Sequence, residues 1–140
     1  MVVHAYYPLG ETRVERQAQA LRQQGIEVDL ICLRKSTEAA RADVDGVQVH
    51  RLPVRRYKNK GLLVQLFEYL AFIRLTRLHW QRRYNVVQLY NLPDFFVFAG
   101  LVPKLSGARV ILDLHDLMPE FYAEWFQRPM NHLLVRLIRW

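Results

Sequence analysis

The sequence predicts an α/β fold built on a mostly parallel sheet, with its ligand site on the loops that follow the strands. Two observations lead there. Short runs rich in Val, Ile and Leu recur along the chain, and segments with apolar residues at helical spacing lie between them. Strands that alternate with helices require right-handed crossovers, and these give parallel pairing. At 140 residues the chain fits one domain with a proper core.

Val2 to Tyr6 is an apolar run ended by Pro8 and Gly10, and reads as a strand and then a turn. Thr12 and Glu15 form a capping box that starts a helix. Val14, Ala18 and Leu21 give this helix one apolar face, and Gly25 closes it. Ile26 to Leu33 is the second strand, favoured over a buried helix by its length and its valine and isoleucine. The polar stretch from Arg34 to Asp45 is expected to hold one short helix around Ala39–Ala42. Gly46 to Leu52 is the third strand, with Val47 and Val49 alternating with polar residues until Pro53 stops it.

A basic loop, Arg55 to Lys60, leads into a long helix from about Leu62 to Arg83. Leu62, Leu66, Tyr69 and Ile73 are predicted to face the core, and Leu63, Phe67 and Leu70 widen that face. Val86 to Tyr90 is the fourth strand. Asp94 caps a helix over Phe95–Leu105, which Gly107 ends. Arg109 to Leu114, almost wholly apolar, predicts a fifth strand covered on both faces. Pro119 suits the first turn of another helix, and Asn131–Trp140 has an amphipathic helical pattern without a C-cap. The domain is expected to span 1–140. Both ends are abrupt, so the domain is expected to be incomplete at its C-terminus or to lack a partner; frayed boundaries are the plainer reading.

Composition narrows the function classes. One cysteine, Cys32, excludes an internal disulfide framework and a Cys-rich zinc site. The N-terminus lacks the charged and apolar regions of a signal peptide. The greasiest stretch, Gly61–Trp80, carries Glu68, Arg74 and Arg77. Such charges cost roughly 2.5–3.5 kcal/mol each at a bilayer centre, so it is not read as a span. A cytoplasmic location is expected. The net charge of +7 favours phosphates, anionic lipid or nucleic acid, or marks only a basic surface. Arg55, Arg56, Lys58 and Lys60 before the long helix, and Trp80, Arg82 and Arg83 at its end, suit a peripheral contact with anionic headgroups at the inner face of a membrane. A core helix with a solvated charged end accounts for the same residues. Nucleic acid is not expected as a partner, because most aromatics fall on predicted core faces.

Ligands of open α/β sheets bind beyond the carboxyl ends of the strands. Three such ends carry unusual polar residues. The first is Tyr6-Tyr7-Pro8-Leu9-Gly10-Glu11-Thr12-Arg13, a turn entering a helix N-terminus that favours an anion. Arg13 and Arg16 oppose the helix dipole there. A bound phosphate or carboxylate explains them, and so does neutralisation by Glu11 and Glu15. The turn is neither a GxGxxG fingerprint nor a P-loop, so no nicotinamide cofactor is expected. The second end is Asn91-Leu92-Pro93-Asp94. The third is Asp113-Leu114-His115-Asp116, in which Asp113 and His115 share one face of the strand, with Glu120 close behind. One histidine among scattered carboxylates does not make a metal site, and none is expected. Asp116 is as readily a cap or a loop acceptor.

These segments resemble the N-terminal domain of a family 4 glycosyltransferase. The resemblance lies in Tyr-Tyr-Pro before Arg13-Val14-Glu15-Arg16, in Gly25 to Leu33, in Gly46 to Pro53 and in Asn91 to Asp94. Most of all it lies in Leu112-Asp113-Leu114-His115-Asp116-Leu117-Met118-Pro119-Glu120. It implies a Rossmann-like, doubly wound sheet of about five or more strands, one half of a GT-B architecture. It also implies a retaining reaction that needs no bound metal or organic cofactor. The acceptor binds on this domain, and the nucleotide sugar binds on a donor domain absent from these residues, so this chain alone is expected to be inactive. His115 matches the family's histidine near acceptor and donor sugar, which makes it the candidate catalytic residue. Tyr7, Gly10, Arg13, Asn91, Asp94, Asp116 and Glu120 are the candidate acceptor-binding residues. Many members have a Gly-Gly pair in the first loop where this chain has Gly10 alone, a departure that bears on the phosphate contact. The expected partners are a sugar acceptor and a donor domain or subunit. The competing reading is a non-catalytic module that docks such a partner or an anionic membrane.

Overall fold

The fold was analysed in a computed structural model that describes residues 1–8, 12–54, 62–79, 84–90 and 94–114. Six strands form one sheet: β1 (Val2–Tyr6), β2 (Asp29–Leu33), β3 (Arg41–Val44), β4 (Val47–Leu52), β5 (Val86–Tyr90) and β6 (Arg109–Asp113). Their spatial order is β3-β4-β2-β1-β5-β6, and every pairing is parallel except β3 with β4. With β3 set aside, the parallel strands lie in the order 3-2-1-4-5, the arrangement of a doubly wound Rossmann-like sheet. The order reverses between β1 and β5, which makes that junction the switch point.

Alternation along each strand sends side chains to two layers. On one face α1 (Thr12–Gln23) buries Val14 and Ala18 over Val3, Ala5, Leu30 and Val49. On the other, α2 (Leu62–His79) buries Phe72 and Ile73 over Val2, Ile31 and Leu89. A 3₁₀ helix (Asp94–Gly100) and α3 (Leu101–Leu105) complete that second layer. Both α1 and α3 end in a Schellman motif. Gly25 (φ 76°) donates to Arg22 O and Ile26 donates to Leu21 O; Gly107 (φ 94°) donates to Lys104 O and Ala108 donates to Pro103 O.

The first helix, the first strand and the fourth strand stand where the residue pattern predicted them. Other expectations are corrected. No short helix occupies Ala39–Ala42. The chain forms β3 there and turns back through Asp45 (φ 52°) and Gly46 (φ 80°), a two-residue hairpin loop of the type that needs positive φ at both positions. Arg51, 8% exposed on β4, ties down the preceding loop through Glu38 Oε2 at 3.5 Å. β2 starts at Asp29, not Ile26, because the Ile26 N–H is spent closing α1. The segment predicted as one helix over 95–105 is a 3₁₀ helix followed by a short α-helix. β6 is an edge strand among the described residues, and Ile111 is 48% exposed, so the strand is not covered on both faces.

The largest correction concerns α2. Leu66, Phe67 and Leu70 were predicted to face the core, yet they are 41%, 70% and 48% exposed. The side turned to the sheet carries Glu68, Phe72, Ile73 and Thr76. Glu68 is placed there by His4 of β1, with Nε2 3.3 Å from Oε1 and both side chains 4% exposed. The His4 ring packs against Tyr69 and Phe72 at centroid distances of 4.7 and 5.0 Å. A polar pair at this depth must be kept whole, because either group left buried without its partner is costly. The helices expected after Pro119 and over Asn131–Trp140, and the basic loop Arg55–Lys60, lie outside the described residues.

At the foot of the sheet the Met1 amine donates to Asp29 O at 2.7 Å, and the Tyr84 hydroxyl donates to Asp29 Oδ2 at 2.7 Å. Burial lowers the amine from its ordinary value of 8.0 to about 6, and the Asp29 charge opposes the shift.

Candidate functional site

The switch point is where an open α/β sheet leaves room for a ligand. β1 delivers the chain to this edge through a buried Tyr7 and a cis Tyr7–Pro8 bond, and α1 begins at Thr12. Arg13 lies in the first turn of α1, and Gln17, four residues on, lies on the same side of the helix. Both side chains reach away from β1 towards the strands beyond it. Arg13 Nη1 donates to Asp113 Oδ1 at the end of β6, at 3.4 Å. Gln17 Oε1 accepts from Gln88 Nε2 at 3.0 Å and from the Tyr90 hydroxyl, both on β5. Tyr90 and Asp113 are register partners in the β5–β6 pair, so the carboxyl ends of those two strands are level. One helix is thereby joined to the ends of both.

The electrostatics follow from burial. Tyr90 is wholly buried, and desolvation, then the Asp113 charge, pushes its hydroxyl well above its usual range, with Arg13 acting the other way. The phenol therefore stays a neutral donor to Gln17. The Asp113 and Arg13 side chains are 18% and 53% exposed, so this pair forms the open side of the cluster. A guanidinium has five N–H donors and a carboxylate about four lone-pair sites. One bond between them leaves most of that capacity for hydroxyl-rich or anionic groups.

Among the candidate residues, the structure brings Arg13 into this cluster and puts Asp94 at the start of the 3₁₀ helix after β5. Tyr7 is 2% exposed in the core under α1, and desolvation, with help from Glu15, Asp45 and Cys32, raises its hydroxyl pKa. It packs there instead of opening onto the crevice. Gly10, Asn91, His115, Asp116 and Glu120 lie outside the described residues. Gln17, Gln88 and Tyr90 were not singled out from sequence. The one available signal for Gln17 was its place one turn after Arg13. Among the described residues no group of His, Cys, Asp and Glu is gathered as metal ligands would be. Cys32 is buried, and desolvation outweighs the Arg51 charge to push its thiol up to about 12. It is no nucleophile.

A profile of the glycosyl transferase 4-like domain matches residues 10–140. The chain belongs to that family. No curated protein matches this glycosyl transferase 4-like chain. Its fold is similar to that of a solved sucrose-phosphate synthase from Thermosynechococcus elongatus, with a TM-score of 0.58 at 11% sequence identity. The likeness covers 82% of the glycosyl transferase 4-like chain and 62% of the solved one, and at that identity it is a likeness of fold alone. Among the described residues, no helix of the glycosyl transferase 4-like domain is long and apolar enough to cross a membrane.

Proposed function

We propose that this chain is the acceptor-side domain of a retaining glycosyltransferase. It works on transfer of a sugar from a nucleotide-sugar donor to a glycan, lipid-linked or polysaccharide acceptor. Membership of the glycosyl transferase 4-like family, together with an open polar pair at the switch point, supports the reading. On this reading Arg13 donates to acceptor hydroxyl oxygens and Asp113 accepts from acceptor hydroxyls. Gly10, Asn91, Asp94, Asp116 and Glu120 are the further acceptor-binding residues of this reading. His115, two residues after Asp113, positions acceptor and donor and stabilises charge near the reacting centre without acting as the nucleophile. The donor nucleotide is held by a second domain or subunit, and neither a metal nor an organic cofactor takes part.

The test is a transfer assay on the complete enzyme with a panel of nucleotide sugars. His115→Ala is expected to lose most turnover while folding normally, and near-normal turnover removes His115 from the mechanism. Purified residues 1–140 are expected to transfer no sugar by themselves; robust turnover by them overturns the assignment of the donor site to another domain.

A further inference from the structure

Arg13 and Asp113 meet through one bond at 3.4 Å, and the arginine side chain is 53% exposed. That length is the far end of a hydrogen bond. An exposed pair of this kind does not hold its own geometry against solvent and rotamer entropy. Something else has to keep the first turn of α1 against the end of β6. Val14 and Ala18 seat α1 on the sheet, but apolar contacts are non-directional and do not by themselves fix how the helix is turned about its axis.

Gln17 supplies the direction. It lies one turn after Arg13 on the same side of α1. Gln88 and Tyr90 are two residues apart on β5 and share one face of that strand. Both converge on Oε1 of Gln17: Gln88 Nε2 donates at 3.0 Å, and the Tyr90 hydroxyl donates beside it. Two donors from one strand on one oxygen fix where that oxygen sits, both along the strand and across it. The anchor is also costly to lose. Tyr90 is fully buried and stays protonated, so its hydroxyl needs an acceptor, and Gln17 Oε1 is the one it has among the described residues. A buried anchor of two bonds therefore dominates the exposed ion pair. Asp113 is level with Tyr90 in the β5–β6 pair. Fixing α1 against Tyr90 thus also fixes Arg13, one turn nearer the start of the helix, against Asp113.

We propose that Gln17 is the positioning residue of the crevice: anchored by Tyr90 and Gln88, it holds the first turn of α1 where Arg13 meets Asp113. Its part in sugar transfer rests on the reading of Arg13 and Asp113 as acceptor-binding groups, and it acts through Arg13. The test is nitrogen-15 NMR of the whole chain labelled at arginine. The Arg13 side-chain resonance is identified by its loss in Arg13→Gln and should be displaced in Asp113→Asn, which takes away the charge it pairs with. Gln17→Met keeps the length of the side chain and removes Oε1. It is expected to move the Arg13 resonance to the position it has in Asp113→Asn. Tyr90→Phe should move it part of the way, because Gln88 still donates, and this milder variant carries the test if Gln17→Met does not fold. Circular dichroism melts set a temperature at which each variant is folded, so that a loss of stability alone leaves the resonance in place. An Arg13 resonance that stays at the parent position in the folded Gln17 and Tyr90 variants overturns the proposal, and so does one that Asp113→Asn fails to displace. The resonance is read without any acceptor, so this result is separate from the transfer assay that tests the acceptor reading itself.

Discussion

The guanidinium of Arg13 and the carboxylate of Asp113 lie 100 residues apart in sequence and 3.4 Å apart in space, where the first turn of α1 meets the end of β6. A pair this exposed contributes at most about 1 kcal/mol to stability. Arg13→Gln and Asp113→Asn are therefore expected to leave the melting temperature nearly unchanged. If the pair binds acceptor hydroxyls, each variant should raise the acceptor KM of the complete enzyme about tenfold, the value of one charge-assisted hydrogen bond. The donor KM should stay put. Equal kinetics for variants and parent would take the pair out of the site.

Cys32 gives a test of burial. A thiol with a pKa of about 12 is ionised to about one part in ten thousand at pH 8. The native chain is expected to resist thiol-specific reagents at that pH and to react fully once denatured. Prompt labelling of native protein would show that β2 is more open than its packing indicates.

The buried Met1 amine makes stability depend on pH. Its pKa is about 6 in the folded chain and near 8.0 when exposed, so between those values the unfolded chain binds more protons. Stability is expected to rise with pH across that window. The contribution is complete above pH 8 and is lost as pH falls through 6, about 3 kcal/mol in all. Urea denaturation across the window, for a chain beginning at Met1, measures the slope. Acetylation of the amine should flatten it.

Gly100 is a test of close packing. A Cβ there would sit 2.9 Å from Val110 Cγ1 and 3.1 Å from Leu89 Cδ1, where the 3₁₀ helix lies on β5 and β6. Gly100→Ala is expected to cost about 1–3 kcal/mol. A melting temperature equal to the parent's would mean that this layer sits further from the sheet.

Much of the fold was legible because the signals were local. Val2–Tyr6 and Val86–Tyr90 are apolar runs, and Gly25 and Gly107 each end a helix by taking positive φ. The β3–β4 hairpin was legible too, in Val44-Asp45-Gly46-Val47, but Ala39, Ala40 and Ala42 drew the reading towards a helix. The core side of α2 was legible only at Ile73, while Leu66, Phe67 and Leu70 are exposed. Its apolar residues go round the whole helix, and its orientation is settled by a buried glutamate whose histidine partner lies in β1. Arg13 stood out as a cation at the wrong end of a helix dipole, and Asp113 as an acid closing an apolar strand. Their meeting depends on the strand order, which no local pattern encodes.

The hairpin also determines how this sheet can grow. β3 runs against β4, is only four residues long, and presents exposed Arg41 and Asp43 at the outer margin. A short, charged border discourages any further strand from pairing there. At the opposite border β6 runs parallel to its neighbour and offers Val110 and Ile111. Among the described residues the sheet is thereby given a direction: additional structure meets less resistance past β6 than past β3.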